Sequence, residues 1–221
     1  MSYLKRQKVP KNWPIGRKGT TYVVRPNFNI ERGLPILIIL RDILKVAENR
    51  REVKKIIHEK QILLNNKPIK DDRENVLLFD NMNIVPTNKF YKMGLSNKGK
   101  FKINEIDAND AGRKIAKIIN KRILKGKKIQ LNLSDGRNFL SDLKCNVNDS
   151  VLINLLEKKI EKCVPLKEKA KVIIFDGKHA GERGIINSIK NKTAEIKIGN
   201  NDVDILIKQL MVVEWWTRCE K

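Results

Sequence analysis

The sequence predicts a multi-domain α+β protein. A proline-rich basic extension over residues 1–33 precedes a helix-rich stretch over 34–90, and a mixed α/β domain follows over 91–166. Residues 167–216 alternate short apolar runs with turn residues, which is typical of a small five-stranded β-barrel.

The composition indicates a polyanionic partner. The 221 residues include 47 lysines and arginines against 25 acids, so the formal net charge is +22. A charge this large favours nucleic acid, and a membrane surface is the alternative polyanion. However, the longest apolar run, residues 34–40, is too short to span a bilayer, and the N-terminus lacks a signal-peptide core. We therefore expect a cytoplasmic protein without a membrane partner.

Few residues could support metal binding or redox chemistry. The three cysteines, Cys145, Cys163 and Cys219, are far apart and lack CxxC spacing, so we expect reduced thiols. His58 and His179 are the two histidines of the chain. We predict no metal site, no cofactor and no catalytic residue.

The N-terminal extension is basic, and its cations are interleaved with aromatic residues. Three prolines and three glycines interrupt periodicity, and Trp13 and Tyr22 stand among the cations. Such a segment buries too little apolar surface to order itself. It is either a mobile terminus or, as we favour, an arm that folds against phosphates, with Trp13 on a base, a sugar or protein.

Two helices are predicted from residue 34 onward. Leu37, Leu40, Leu44 and Ala47 form one apolar stripe, and Asn49 ends this helix and caps the next, with Glu52 three residues later. The second helix separates an apolar side from a basic arc. That arc consists of Arg50, Arg51, Lys54, Lys55 and His58. Taken alone, such an arc is usually a solvated face.

A strand and a turn follow the second helix. Ile62, Leu63 and Leu64 lead into the turn sequence Asn65-Asn66-Lys67. Residues 76–79 and 84–85 read as further strands joined by a turn at residues 80–81, and Pro86 closes the domain. The unit resembles the S-four RNA-binding domain through LRDIL, NRREVKKII and ILLNNKPI. That resemblance implies two helices on a short curved sheet, with RNA gripped by the second helix and the strand turn.

The middle domain is predicted to combine strands with one helix. Residues 101–106 alternate as a half-exposed strand does, and a helix is predicted to begin near Ala111. One face of that helix would carry Ile115, Ile118, Ile119 and Ile123, and the other face four cations that are either solvated or functional. Residues 129–133 and 151–156 are predicted strands, with a turn at residues 134–136.

The C-terminal strands carry a glycine-rich loop. Residues 177–186, GKHAGERGII, resemble a KOW motif, with glycines at positions 177, 181 and 184. That resemblance implies docking on RNA or on a protein, whereas the alternative is that the glycines only make turns.

The order of these segments resembles the archaeal and eukaryotic small-subunit ribosomal protein family S-four-e. Residues 11–27, KNWPIGRKGTTYVVRPN, are similar to the family's N-terminal signature, and the helix LPILIILRDILKVAEN also matches. Asn65-Asn66-Lys67 departs from the Asp/Asn-Gly turn that the family often has. The short C-terminus, ending after Trp215 and Trp216 without a longer basic tail, favours the archaeal type.

The resemblance implies a structural constituent of the small ribosomal subunit. Its expected partners are small-subunit ribosomal RNA and neighbouring ribosomal proteins, without homo-oligomers. The expected RNA-binding residues are spread over the arm, the S-four-like domain and the KOW loop. They are Arg17, Lys18, Arg25, Arg41, Arg50, Arg51, Lys54, Lys55, Asn65, Lys67, Lys178, His179 and Arg183.

Three other function classes were weighed. An enzyme would need a larger catalytic domain, and the sequence contains no Walker loop and no paired histidine and carboxylate motif. A membrane-surface protein would need exposed large apolar residues on an amphipathic helix. The main alternative is a free RNA-binding regulator or an elongation factor, which sequence distinguishes poorly from a ribosomal protein.

Overall fold

The structure, a computed structural model, describes residues 3–141, 143–199 and 201–213. These residues form two compact units. The first contains the described residues up to Ser96 together with Lys100–Gly112, and the second contains Asn97–Gly99 and the described residues from Arg113 onward. Strands outnumber helices throughout, so the chain has less helix than the α+β prediction implied. Cys219 and the segment at residues 214–216 lie outside the described residues.

The N-terminal segment is folded onto the first unit. Strands β1 (Tyr3–Lys5) and β2 (Tyr22–Val24) pair antiparallel into a two-stranded ribbon. Trp13 is only 2% exposed, and its indole Nε1 donates a hydrogen bond to the Ile30 carbonyl at 3.1 Å. The expectation that this segment cannot order itself was wrong. Of the partners expected for Trp13, namely a base, a sugar or protein, the structure shows protein. One large indole supplies the apolar area that the composition understates.

The first predicted helix is shorter than its apolar stripe. Strand β3 (Gly33–Pro35) leads into helix α1, which is α-helical over Ile36–Ile38 and π-helical over Ile39–Ile43. Residues 36–40 are all buried, so the helix is a core element without a solvent face here. It ends before Lys45, whose φ of +53° is left-handed and breaks the helix.

The second helix follows the prediction closely. Helix α2 (Arg50–His58) begins after Asn49, and the Glu52 carboxylate accepts hydrogen bonds from the backbone N–H of Glu48 at 2.8 Å and of Asn49 at 3.4 Å. Val53 and Ile57 are buried against the unit. Lys60 lies beyond the helix end with a left-handed φ of +55°.

A five-stranded antiparallel sheet forms most of the rest of the first unit, in the order β5-β4-β7-β8-β9. Its strands are β4 (Ile62–Leu64), β5 (Lys67–Pro68), β7 (Asn81–Ile84), β8 (Lys89–Leu95) and β9 (Phe101–Ile106). The predicted boundary at residue 90 falls inside β8. Residue 90 is paired both to Asn83 and to Ile106, so the sheet continues past Pro86.

The strand predicted at residues 76–79 joins a different partner. Strand β6 (Asn75–Leu77) pairs with β3, not with β7. Phe79, with a φ of +65°, turns the chain between the two sheets and is fully buried. A short helix, α3 (Ala108–Ala111), ends the unit.

The second unit begins with a strand where a helix was predicted. Strand β10 (Arg113–Ile123) pairs with both β11 and β13 in a sheet of order β12-β11-β10-β13-β14. The other strands are β11 (Ile129–Leu133), β12 (Asn138–Leu140), β13 (Ser150–Asn154) and β14 (Lys159–Val164). Residues 114–118 are all buried, so β10 lacks the alternation of a half-exposed strand, and its isoleucine spacing matched a helix by coincidence.

The predicted C-terminal strands are present. They form an antiparallel sheet in the order β18-β17-β16-β15-β19. The strands are β15 (Lys171–Ile174), β16 (Arg183–Lys190), β17 (Thr193–Ile198), β18 (Asn201–Leu206) and β19 (Leu210–Val212). Their apolar residues, including Val172, Ile186 and Ile196, form one buried cluster. The closure of this sheet into a barrel stays a prediction.

A buried lysine joins the two sheets of the second unit. The Lys117 ammonium on β10 donates to the backbone carbonyls of Ile207 and Leu210, the latter at 2.8 Å, and is 5.8 Å from the centre of the Phe175 ring. The Ser150 hydroxyl accepts a hydrogen bond from the Val212 N–H at 3.0 Å beside it. Hydrogen bonds made by two buried side chains therefore hold β19 against β10 and β13.

Candidate nucleic-acid interface

Helix α2 presents cations to solvent because its opposite side is buried. Arg51, Lys54 and Lys55 are exposed, whereas Val53 is completely buried. Lys55 is 4.0 Å from Glu59, an exposed pair that restrains the lysine little. This exposed face can approach a phosphate backbone without disturbing the core.

Two arginines next to this face are held by carboxylates. Arg50 at the start of α2 donates through Nε to the buried Asp72, and Arg41 donates through Nε and Nη2 to Asp42 at 2.9 Å each. These side-chain hydrogen bonds raise the pKa of both guanidinium groups despite some burial, so both stay charged. The carboxylates orient the arginines, whose remaining N–H groups make no hydrogen bond to the part of the chain that the structure describes.

The predicted role of Asn65 at the strand turn was wrong, because its side chain is 6% exposed and points into the unit. Its Nδ2 donates to Asp80 at 2.8 Å, and its Oδ1 accepts from the Asn81 N–H at 3.2 Å. Asn65 and Asn66 have φ values of +50° and +61°, so the turn uses asparagines where the resemblance led us to expect glycine. Lys67, directly after the turn, is exposed, and its predicted contact with RNA stays a prediction.

The loop between β1 and β2 carries the predicted arm residues. Arg17 and Lys18 are exposed at its tip, and Arg25 is half-buried after β2. Arg6 ties the loop together by donating to the carbonyls of Thr20 at 2.7 Å and of Gly16 at 2.8 Å. The exposed cations are therefore mounted on an internally bonded loop.

The glycine-rich loop of the second unit has the predicted backbone. Gly177 and Gly181 have φ values of +91° and +92°, and a Cβ at Gly184 would lie 2.4 Å from the Ile196 side chain. Two of the three glycines thus supply left-handed turns, and the third allows close strand packing. Lys178 and Arg183 are exposed, whereas the His179 ring lies 2.9 Å from the Glu182 carboxylate and is half-buried.

The part of the chain that the structure describes contains neither a metal cluster nor a membrane-spanning helix. Within residues 3–141, 143–199 and 201–213, no group of three or more histidine, cysteine or acidic side chains could hold a metal ion. In the same ranges no helix has the length and hydrophobicity needed to cross a bilayer. Cys145 and Cys163 form no disulfide, and burial raises the pKa of the Cys163 thiol.

Comparisons with known proteins agree with this reading. The family model described as "Ribosomal family S4e" matches residues 87–160, and the one described as "RS4NT (NUC023) domain" matches residues 3–28. The small ribosomal subunit protein eS4 of Methanocella arvoryzae is 40% identical over 192 residues, covering 86% of this chain and 81% of the relative. That of Methanothermobacter thermautotrophicus is 36% identical over 220 residues, covering 96% and 91%.

The chain belongs to the ribosomal family S4e.

A solved S4e structure shares the fold. The crystal structure of the 30S ribosomal protein S4e from Thermoplasma acidophilum aligns with a TM-score of 0.72 over 83% of this chain and 95% of that chain, at 22% identity. The family predicted from the sequence is thereby confirmed, as is its archaeal type. Membership of a ribosomal protein family also confirms that the chain is not classed with enzymes.

Some residues that shape this S4e surface were missed by sequence reasoning. Asp72 orients Arg50 from a buried position, and Arg73 lies beside a cavity that Tyr3 and Tyr22 also line. The run Asp71-Asp72-Arg73-Glu74 looks like an ordinary charged loop, so nothing in it indicated a buried carboxylate. The sequence did contain a weak signal for Tyr3 and Tyr22. Each precedes an apolar residue, Leu4 or Val23, and such alternation is typical of a half-buried strand.

Proposed function

We propose that this chain is a structural constituent of the small ribosomal subunit in the cytoplasm and binds small-subunit ribosomal RNA. The carrying observation is the exposed basic face of α2, with Arg51, Lys54 and Lys55 opposite a buried apolar side. Family membership supports the assignment, because relatives of 40% and 36% identity are small ribosomal subunit proteins.

The proposed mechanism is electrostatic. Lysine and arginine neutralise phosphates and release counterions, so affinity falls steeply with salt. A-form RNA hides its base edges in a deep groove, so recognition is mainly of shape, backbone and 2′-hydroxyl groups. We assign this role to an S-four-like module comprising α1, α2 and the sheet around Lys67, together with Arg17, Lys18 and Arg25 of the arm. Asn65 positions the turn from within.

The glycine-rich loop of the second unit is the second proposed contact. Lys178 and Arg183 are exposed there, and a KOW-type barrel would present them to RNA or to a neighbouring ribosomal protein. His179, paired with Glu182, supports the loop rather than binding through a free ring.

Sedimentation of the tagged protein from cell lysate tests the proposed function. We expect co-migration with the small subunit that survives a moderate-salt wash. Protein that stays at the top of the gradient at low and at high salt would overturn the proposal and favour a free RNA-binding regulator.

A further inference from the structure

The first unit contains a cavity that the proposed backbone contacts do not explain. It has a volume of about 520 Å³, within the range of small-molecule sites. It lies where the N-terminal ribbon faces α1 and the start of α2. The side chains that matter most here are Tyr3, Tyr22, Arg6, Arg41, Arg50 and Arg73.

The two tyrosines form a half-exposed aromatic pair beside this cavity. Their ring centroids are 4.9 Å apart at an interplanar angle of 74°. Tyr3 is 51% exposed and Tyr22 is 53% exposed, although neighbouring Leu4 and Val23 on the same strands are buried. A base can stack on such a ring whatever its identity, because every base has a π-face.

The arginines give the cavity oriented positive charge. Asp42 is the one acidic side chain among the lining residues, and it binds only Nε and Nη2 of Arg41. Asp72 binds Nε of Arg50, which leaves both terminal nitrogens without a hydrogen bond to any described residue. Guanidinium groups held at one edge with donors free at the other are suited to a phosphate.

We infer that this cavity binds one unstacked nucleotide of a single-stranded RNA segment. The base packs against Tyr22 and Tyr3, and the phosphate lies at Arg41, Arg50 and Arg73. The inference deepens the proposed function and rests on it, because a paired base in a duplex cannot enter such a cavity whereas one in a loop or bulge can. An acidic or aromatic peptide of a neighbouring protein is the competing occupant.

Ultraviolet crosslinking of the full chain to small-subunit ribosomal RNA tests the inference. After digestion, mass spectrometry should find a nucleotide adduct on Tyr22 or Tyr3. Tyr22→Leu should weaken binding about ten-fold. Phe28→Leu, which removes another aromatic side chain that is 53% exposed, should leave affinity within about two-fold. Arg73→Gln, outside the ribbon, should weaken binding about five-fold and keeps the test valid if the Tyr22 variant fails to fold.

The outcomes separate this inference from the proposed function. Normal salt-sensitive binding by the wild type, with no adduct on the ribbon and unchanged affinity of Tyr22→Leu and Arg73→Gln, would overturn the nucleotide site alone. A crosslink from Tyr22 only to a protein within assembled subunits would also overturn it. If the wild type does not bind the RNA at all, both the nucleotide site and the proposed function are overturned.

Discussion

The turn at Asn65 shows how a single side chain can serve the fold where recognition was expected. The side-chain amide of Asn65 makes hydrogen bonds to Asp80 and to the Asn81 N–H, and these bonds hold β4 and β7 together at the turn. The backbone of Asn65 is left-handed. Sequence indicated the turn correctly, because Asn-Asn tolerates positive φ. It could not indicate that one asparagine points inward, since that depends on Asp80, fifteen residues later.

Asn65→Ala should lower the free energy of unfolding by about 2–3 kcal/mol, because it leaves Asp80 and the Asn81 N–H short of a partner and strains a left-handed residue. Asn66→Ala is the matched control. Asn66 has similar backbone geometry but an exposed side chain, so we expect a loss of about 1 kcal/mol. Chemical denaturation of both variants measures the difference. Equal losses of unfolding free energy would show that the side-chain hydrogen bonds of Asn65 contribute nothing to stability.

Hydrophobic periodicity predicted the type of element correctly for helix α2, which has one exposed face, and wrongly for strand β10, which has none over residues 114–118. Helix α2 has a solvated arc, and its start and its capping residue, Asn49, were predicted. Strand β10 is buried on both faces over residues 114–118, so a helix and a strand were indistinguishable from its isoleucines. The N-terminal segment failed for another reason, because its order depends on Trp13 and on contacts with distant residues such as Phe101, whose N–H donates to the Asn12 carbonyl at 2.8 Å.

Trp13 should be the main anchor of the N-terminal segment. Trp13→Ala is expected to lower the free energy of unfolding by about 3–5 kcal/mol, since it removes a fully buried indole. Phe28→Ala, at a 53% exposed aromatic position, should cost less than about 1 kcal/mol. Thermal melting compares the two variants, and a tryptophan variant as stable as the phenylalanine variant would show that the segment is not anchored in solution.

Lys117 gives the packing of β10 on β19 a pH dependence. Burial lowers its pKa from 10.5 to about 8. Folding favours the deprotonated form because burial penalises the charged ammonium. The neutral amine still has two hydrogens to donate to the Ile207 and Leu210 carbonyls. The unfolded chain therefore binds more protons than the folded chain between pH 8 and 10.5, and stability gained through this residue rises across that window.

Lys117→Met should lower the free energy of unfolding by about 2 kcal/mol near neutral pH, because two carbonyls lose their donor. The gap from the wild type should widen between pH 8 and 10.5. Lys159→Met removes an exposed charge from the same unit as a control. Urea denaturation across this pH range measures both variants, and a constant gap would contradict a depressed pKa.

For the whole molecule, charge and segment order were the informative signals. A net charge of +22 indicated a polyanion, and the arrangement of motifs indicated the family that the comparisons confirm. The grouping of strands into sheets was less accessible, because β6 pairs with β3 and the first sheet continues to Ile106. Pairings of this kind depend on residues far apart in sequence, which local patterns do not report.

We propose that the exposed face of α2 binds ribosomal RNA through its charge. The most direct test is the affinity of the full chain for small-subunit ribosomal RNA as a function of salt. The wild type is compared with Arg51→Glu/Lys55→Glu and with Lys159→Glu/Lys167→Glu, an equal charge reversal at exposed residues of the second unit. The plot of log affinity against log salt has a negative slope. The magnitude of this slope should decrease by about 1.5 in the α2 variant, because two phosphate contacts are lost.

The melting temperature of the α2 variant should stay close to that of the wild type, because both side chains are exposed. Equal slopes for the wild type and both variants would contradict the claim, as would a large fall in melting temperature that accounts for the weaker binding.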